Sequence, residues 1–217
     1  MKLEVVNLVA TANLDQPVDI LKLEDVRGFL YDHAIYHCAY LRDENTHAKV
    51  SVFASGKMIS IGTKSLREAT YDLNYAQKRL VQLGLVQPRE ITPELQNIVA
   101  MADVRRRIDL EALASKLDGV IYAPEVFPAV IYYPDELEGA SLLIFATGRI
   151  LLSGLKRQRL LHMGKLVIGK LAGLDPRKKS PCSYLISKKK SRHGLYRGLG
   201  PKKGNRQPIL EKQRILD

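Results

Sequence analysis

Tryptophan is absent from these 217 residues, phenylalanine occurs four times and cysteine twice. Cys38 and Cys182 stand far apart and match no metal-binding or redox spacing, which fits a reducing, intracellular setting. The histidines at 33, 37, 47, 162 and 193 lack the spacing to Cys or acidic partners that a zinc site needs. No apolar run reaches about 18 residues, so no membrane-spanning helix is expected. The opening stretch MKLEVVNLVATANLDQ turns polar too soon for a secretory signal. The stretch GKMISIGTKS (56–65) resembles a phosphate-binding loop only superficially. Five residues separate its glycines, and Thr63 stands where that loop requires Lys. Cys38 and His47 have no pattern around them that would make a nucleophile. With no catalytic constellation, no metal and no cofactor are expected, and the protein is not expected to be an enzyme.

What is present is an ordinary globular composition, 46% hydrophobic and 26% charged, with a formal net charge of +11. That charge is concentrated at one end. Residues 175–217 hold 13 Lys or Arg against 3 Asp or Glu, whereas the preceding part holds 21 basic and 20 acidic groups. The stretches PRKKS, SKKKSRHG and GPKKGNRQ have too few apolar residues to fold alone. Such a tail is either a solvated aid to solubility or an arm that settles on nucleic-acid phosphates and releases counterions.

The body of the chain says nearly the same thing twice. VFASGKMISIGTK (52–64) returns as IFATGRILLSGLK (144–156), an offset of 92 residues. Asn7-Leu8-Val9-Ala10 returns as Asn97-Ile98-Val99-Ala100, and Asp19-Ile20 as Asp109-Leu110. A period this long indicates a duplicated domain half and not a solenoid unit. Each half reads as an apolar strand (5–12; 96–103), a short helix led by Asp19 or Asp109, and a strand (35–42; 129–133). A hairpin with Gly56 or Gly148 in its turn and a longer helix complete it. Leu23, Val26 and Leu30 would line the first short helix, and Leu110, Leu113 and Leu117 the second. In the longer helices Leu66, Ala69, Leu73, Ala76, Leu80 and Leu83 share one face, as do Leu160, Gly164, Val167 and Leu171. Gly84 and Gly173 stand where helix stops are expected.

The strands are unusual because both of their faces are apolar. Leu142 and Ile144 can meet the helices, yet Leu143 and Phe145 point the other way. Leu151 stands likewise against Ile150 and Leu152, and Val9 against Leu8 and Ala10. Four helices can cover one face of a sheet of eight to ten strands, which leaves a broad apolar face for a partner. The candidate occupants are a ligand macromolecule and a second copy of the chain, a possible homodimer.

Two repeats beginning Asn-x-Val-Ala, each with a Phe-x-Ser/Thr-Gly-Lys/Arg hairpin and a Gly-x-Lys exit, resemble the TATA-box-binding protein family, archaeal members in particular. The segment YAPEVFPAVIY (122–132) is close to the family's motif ahead of its hairpin, and the resemblance covers residues 4–174. It implies an α+β fold: a saddle of two pseudo-symmetric repeats, with a curved antiparallel sheet of about ten strands and four helices on its convex face. The expected divisions are 1–86, 87–174 and the basic tail 175–217. It further implies a general transcription initiation factor on A·T-rich promoter DNA that recruits a transcription factor B homologue and, indirectly, RNA polymerase. The cytoplasm of a prokaryotic cell, on its nucleoid, is the expected location.

This family exemplifies minor-groove binding by apolar wedges that unstack base steps and kink the duplex. By resemblance the wedges are Tyr36 with Phe53 and Phe127, followed by Pro128, with Phe145. Val9, Ile59, Ile61, Val99, Leu143 and Leu151 would form the floor, and Ser55, Thr147 and Ser153 would offer hydroxyls. Arg42, Lys57, Lys64, Arg149 and Lys156 would meet phosphates. Asn7 and Asn97 either make local turns at strand entry or donate their amides to the groove, where A·T pairs present only acceptors.

The first half departs from the family pattern. Tyr36 replaces the usual Phe, and His37 stands opposite Pro128. Ser51 echoes Leu143, and Ile61 stands where Thr is expected and Ser153 is the echo. In the second stirrup, where the family has two acidic residues for transcription factor B, the first is Ala123 and only Glu125 remains. Tyr133 takes a position that is often Arg. These departures leave open a divergent paralogue that acts mainly through protein contacts. A third reading is the substrate-binding module of a nucleic-acid enzyme, for which a catalytic domain is missing.

Overall fold

Alternation of apolar residues over β1 (Leu3–Asn13) builds the first of ten strands in this computed structural model, which describes residues 2–173. The basic tail lies outside the described residues. After β1 come β2 (Phe29–Leu30), β3 (Cys38–Leu41), β4 (Lys49–Phe53), β5 (Lys57–Thr63) and helix α1 (Leu66–Gln82). The second half runs β6 (Glu94–Asp103), α2 (Leu110–Ala114), β7 (Val120–Ile121), β8 (Ala129–Tyr132), β9 (Ser141–Phe145), β10 (Arg149–Leu155) and α3 (Arg159–Gly173). All ten strands form one open, curved antiparallel sheet ordered β2-β3-β4-β5-β1-β6-β10-β9-β8-β7. Read outward from its centre, either direction gives the same succession of equivalent strands. At the centre β1 meets β6 in the register Asn7↔Val99, Leu8↔Ile98, Val9↔Asn97, which places the two Asn-x-Val motifs across a local pseudo-dyad.

The helices share one side of the sheet. Leu8, Ala10, Val50, Val52, Met58 and their second-half counterparts Ile98, Ala100, Leu142, Ile144 and Ile150 are buried beneath them. Ala69, Leu73, Ala76 and Leu80 of α1 bury as the helical spacing predicts, and so do Leu160, Gly164, Val167 and Leu171 of α3. Gly164 makes room there for the Leu152 side chain, whose Cδ2 an added Cβ would meet at 2.3 Å. Helix α1 begins with reciprocal caps. Ser65 Oγ accepts from the Glu68 N–H at 3.2 Å, and the Glu68 carboxylate accepts from the Lys64 N–H at 2.8 Å. The Lys64 backbone bond holds the Glu68 carboxyl below its ordinary pKa. The helix ends at Gly84 (φ +69°), where the N–H groups of Gly84 and Leu85 return to the carbonyls of Val81 and Leu80.

Several expected boundaries differ. Among the described residues there are three α-helices and two 3-10 turns (Ile20–Leu23 and Asp135–Leu137), not four helices. The first short helix is the turn Ile20–Leu23. Asp19 makes no capping bond and the chain leaves through Asp25 at φ +61°, whereas Asp109 caps α2 by accepting from the Ala112 N–H at 3.0 Å. Leu30 therefore lies on β2 and is exposed, as is Leu83 at the end of α1. Strand β3 is shorter than 35–42. Ile35 and Tyr36 belong to a turn in which both backbone N–H groups bond to the Asp32 carbonyl. Gly173 is the last residue of α3 and does not lie beyond it.

Candidate nucleic-acid interface

Opposite the helices, the sheet presents the other side chain of every strand. Val9, Ile59, Val99, Leu143, Leu151 and Ser153 are half-buried there, and Ile61 is exposed. Cross-strand pairing joins them into rows: Ser51↔Ile59↔Thr11 and Lys49↔Ile61↔Val9 in the first half, Ile131↔Leu143↔Leu151↔Met101 in the second. No segment among the described residues covers this face.

At its centre the two asparagines are not equivalent. Asn97 Oδ1 accepts from the Gly154 N–H at 3.0 Å, which leaves its amide nitrogen free to donate. Asn7 Oδ1 is buried with no partner. Asn7 therefore lacks the backbone bond that Asn97 makes.

The aromatic residues also differ between ends. Phe127, lifted on a turn whose N–H bonds to the Ala123 carbonyl, meets Phe145 edge to face at 6.1 Å between centroids. Tyr36 sits on the equivalent turn, but its ring lies against Tyr40, at 5.4 Å and 84°, and Tyr40 in turn underlies the Lys49 ammonium at 4.5 Å. Phe53 stands opposite Cys38 in the β3–β4 register, as Phe145 stands opposite Ala129. The hydrogen bond with Cys38, then burial, pushes the Tyr40 phenol above its ordinary pKa. Sequence reasoning missed Tyr40 and Lys49. The available signal was their echoes, Ile131 and Ser141, which differ in kind as sharply as Ser51 and Leu143 do.

The hairpin tips are matched. Gly56 (φ +86°) and Gly148 (φ +94°) each pass so close to an earlier loop that a Cβ would lie 2.1 Å from the carbonyl oxygen of Gln16 or Arg106. Ser55 and Thr147 precede them, exposed, with hydroxyls 3.5 Å from the N–H groups of Lys57 and Arg149. Arg42, Lys57, Lys64, Arg149 and Lys156 are all exposed, and none is in an ion pair among the described residues. Arg79, Arg157 and Arg159 are by contrast committed to Asp43 or Glu138. Pro128 and His37 are exposed beside the aromatic turns, and Glu125 is exposed on the loop between β7 and β8.

The sequence model of the family described as transcription factor TFIID (or TATA-binding protein, TBP) matches residues 2–83 and again 92–165. The chain belongs to the TATA-box-binding protein family. The two matched segments correspond to the two halves of the sheet. A TATA-box-binding protein of Cenarchaeum symbiosum is 36% identical over 154 residues, covering 70% of this chain and 84% of that protein. One of Sulfolobus acidocaldarius is 34% identical over 171 residues, covering 78% and 86%. Among solved structures, Methanococcus jannaschii TBP superposes with a TM-score of 0.67 at 25% identity, covering 80% of this chain and 97% of that one. Members of this family are DNA-binding transcription factors and not enzymes. Among the described residues no helix is long and apolar enough to cross a membrane.

Proposed function

We propose that the protein is a general transcription initiation factor that grips A·T-rich, TATA-like promoter DNA by its minor groove. The observation that carries this is the uncovered apolar face with Asn7, Val9, Asn97 and Val99 paired across its centre. A·T pairs offer only adenine N3 and thymine O2 in that groove, and the Asn amides supply donors for them. The surrounding Val, Ile and Leu side chains disfavour the guanine amino group. Phe127 with Phe145, and Tyr36 with Phe53 at the other end, enter base steps and bend the duplex, at a cost of a few kcal/mol in stacking offset by the added contact surface. The five free cations hold phosphates and set the position on the duplex. Glu125, on the loop between β7 and β8, meets a transcription factor B homologue, through which RNA polymerase is recruited. Without DNA, a second copy covers the same face.

Fluorescence anisotropy with A·T-rich and G·C-rich duplexes at moderate salt tests the reading. Preference for the A·T duplex is expected, and equal weak binding to both would overturn it.

A second reading rests on the engagement of Tyr36 with Tyr40 and on the unpaired Asn7 carbonyl. In that reading the protein is a paralogue that regulates through protein contacts and holds DNA weakly with its first half. Energy transfer between labelled duplex ends separates the two, since full bending excludes the second.

A further inference from the structure

The first repeat carries on its open face a cluster that the second lacks. Tyr40 is flanked by Ala39 and Leu41, both fully buried under the helices, so its ring lies on the opposite, open side. Lys49 precedes the fully buried Val50 and likewise projects to the open side, where its ammonium sits over the Tyr40 ring at 4.5 Å. Tyr36 packs its edge on the same ring. The neighbour of Tyr40 on β4 is Ser51, small and only 5% exposed, which makes room for the phenol. In the second repeat the equivalent neighbours are Ile131 and Leu143, and the position of Lys49 is held by Ser141, 5% exposed and paired with Ser153. Lys49 is exposed, is in no ion pair among the described residues, and heads the row Lys49↔Ile61↔Val9 that leads to the centre of the face.

We infer that Lys49, held in place by Tyr40, reads base edges in the minor groove. It gives the first repeat its own requirement for an A·T pair, and so decides which way round the saddle sits on an asymmetric site. The inference rests on the reading of the open face as a minor-groove site. An ammonium is a donor in all three of its hydrogens and has no acceptor. Adenine N3 and thymine O2 can satisfy it, whereas in a G·C pair the guanine amino group sets a second donor between the acceptors and against the ammonium. At the equivalent place in the second repeat Ser141 is buried and bears no charge, and the half-buried Ser153 hydroxyl both donates and accepts, so that place tolerates either pair. A single G·C pair at one end of a site is then placed under the second repeat by reversal of the protein. G·C pairs at both ends leave no orientation that avoids Lys49.

The test uses anisotropy titrations of the full-length protein with three labelled duplexes: an all-A·T site, one with G·C at one end, and one with G·C at both ends. A fourth duplex carries inosine·cytosine at both ends, which removes only the guanine amino group. The wild-type protein should bind the first two alike and lose about tenfold on the third, in the range of a mismatched base pair. The inosine duplex should restore binding. Lys49→Ser, which copies the second repeat, should abolish most of the penalty on the third duplex, and Lys49→Arg should keep it. Tyr40→Ile, which copies the second repeat, should weaken the penalty by freeing the lysine stem. Lys49 is on the surface, and thermal melts check that each variant folds. If Lys49→Ser weakens binding to all four duplexes by one factor, the residue is a phosphate cation and the inference fails. It fails equally if the variant changes nothing. If the wild-type protein does not distinguish all-A·T from G·C-rich DNA, it is the minor-groove reading itself that fails.

Discussion

Asn97 accepts a hydrogen bond from the backbone of Gly154 at 3.0 Å, while Asn7, its counterpart across the pseudo-dyad, buries the same oxygen unpaired. Removing the two side chains therefore has unequal consequences. Asn97→Ala should cost about 1 kcal/mol more in unfolding free energy than Asn7→Ala, because only the former breaks a hydrogen bond, while the latter removes an oxygen that is buried without one. Urea titrations of the two variants measure the difference, and equal losses would contradict it. Both variants should reduce preference for A·T duplexes.

The hairpin glycines are steric requirements. Gly148→Ala places a methyl group 2.1 Å from the Arg106 carbonyl at φ +94°, so the loop or the hairpin must move. A loss of about 2–4 kcal/mol is expected, and the same for Gly56→Ala against Gln16. Gly84→Ala meets nothing within 4 Å and should cost only about 1 kcal/mol, the conformational price of its positive φ. Melting curves of the three variants should fall in that order.

Phe127→Ala and Phe145→Ala should each abolish most of the bending, since each removes half of the wedge pair whose rings already meet edge to face, at 6.1 Å. Tyr36→Ala should affect bending less, because in the free protein that ring is engaged with Tyr40. Energy transfer across a labelled A·T-rich duplex reads all three. A Tyr36 variant as defective as the Phe127 variant would show that DNA draws Tyr36 away from Tyr40.

Asp72 is fully buried on α1 and accepts from the backbone N–H groups of His47 and Ala48, with His47 Nδ1 at 2.9 Å from the same carboxylate. It ties the loop before β4 to the helix. Asp72→Asn turns part of that acceptor into a donor facing N–H groups and should destabilise the fold by about 2–4 kcal/mol. His47→Ala should cost much less, because both backbone bonds survive. Denaturant unfolding distinguishes the two.

Deletion after Leu174 removes 13 basic and 3 acidic residues. It should lower affinity for every duplex and flatten the dependence on salt, because fewer counterions are released. An unchanged slope would show that the tail does not touch DNA.

Much of the architecture was legible because it depends on local periodicity. The spacing of Leu73, Ala76 and Leu80 places those residues on one helical face whatever lies beyond it. The alternation of Leu142, Leu143, Ile144 and Phe145 shows two apolar faces before any partner is known. Asp72 was not legible. Beside Leu73 it reads as an ordinary solvent-facing acid, and only the return of the 43–48 loop over α1 buries it. The extent of the first short helix was equally hidden, since whether Asp19 caps depends on where the chain turns at Asp25.

By itself, the sequence determined the doubled unit, the strands with two apolar faces, the paired asparagines and the aromatic positions. These follow from residue type and spacing, which the backbone converts directly into faces. Which side chains meet across the strands was decided only by the tertiary structure. Tyr36 pairs with Tyr40 and not with Phe53, and Lys49 sits over a ring from another strand. Such contacts depend on register and on the volume of cross-strand neighbours such as Ser51 and Leu143. Long-range hydrogen bonds and packing set both, and no local pattern encodes them.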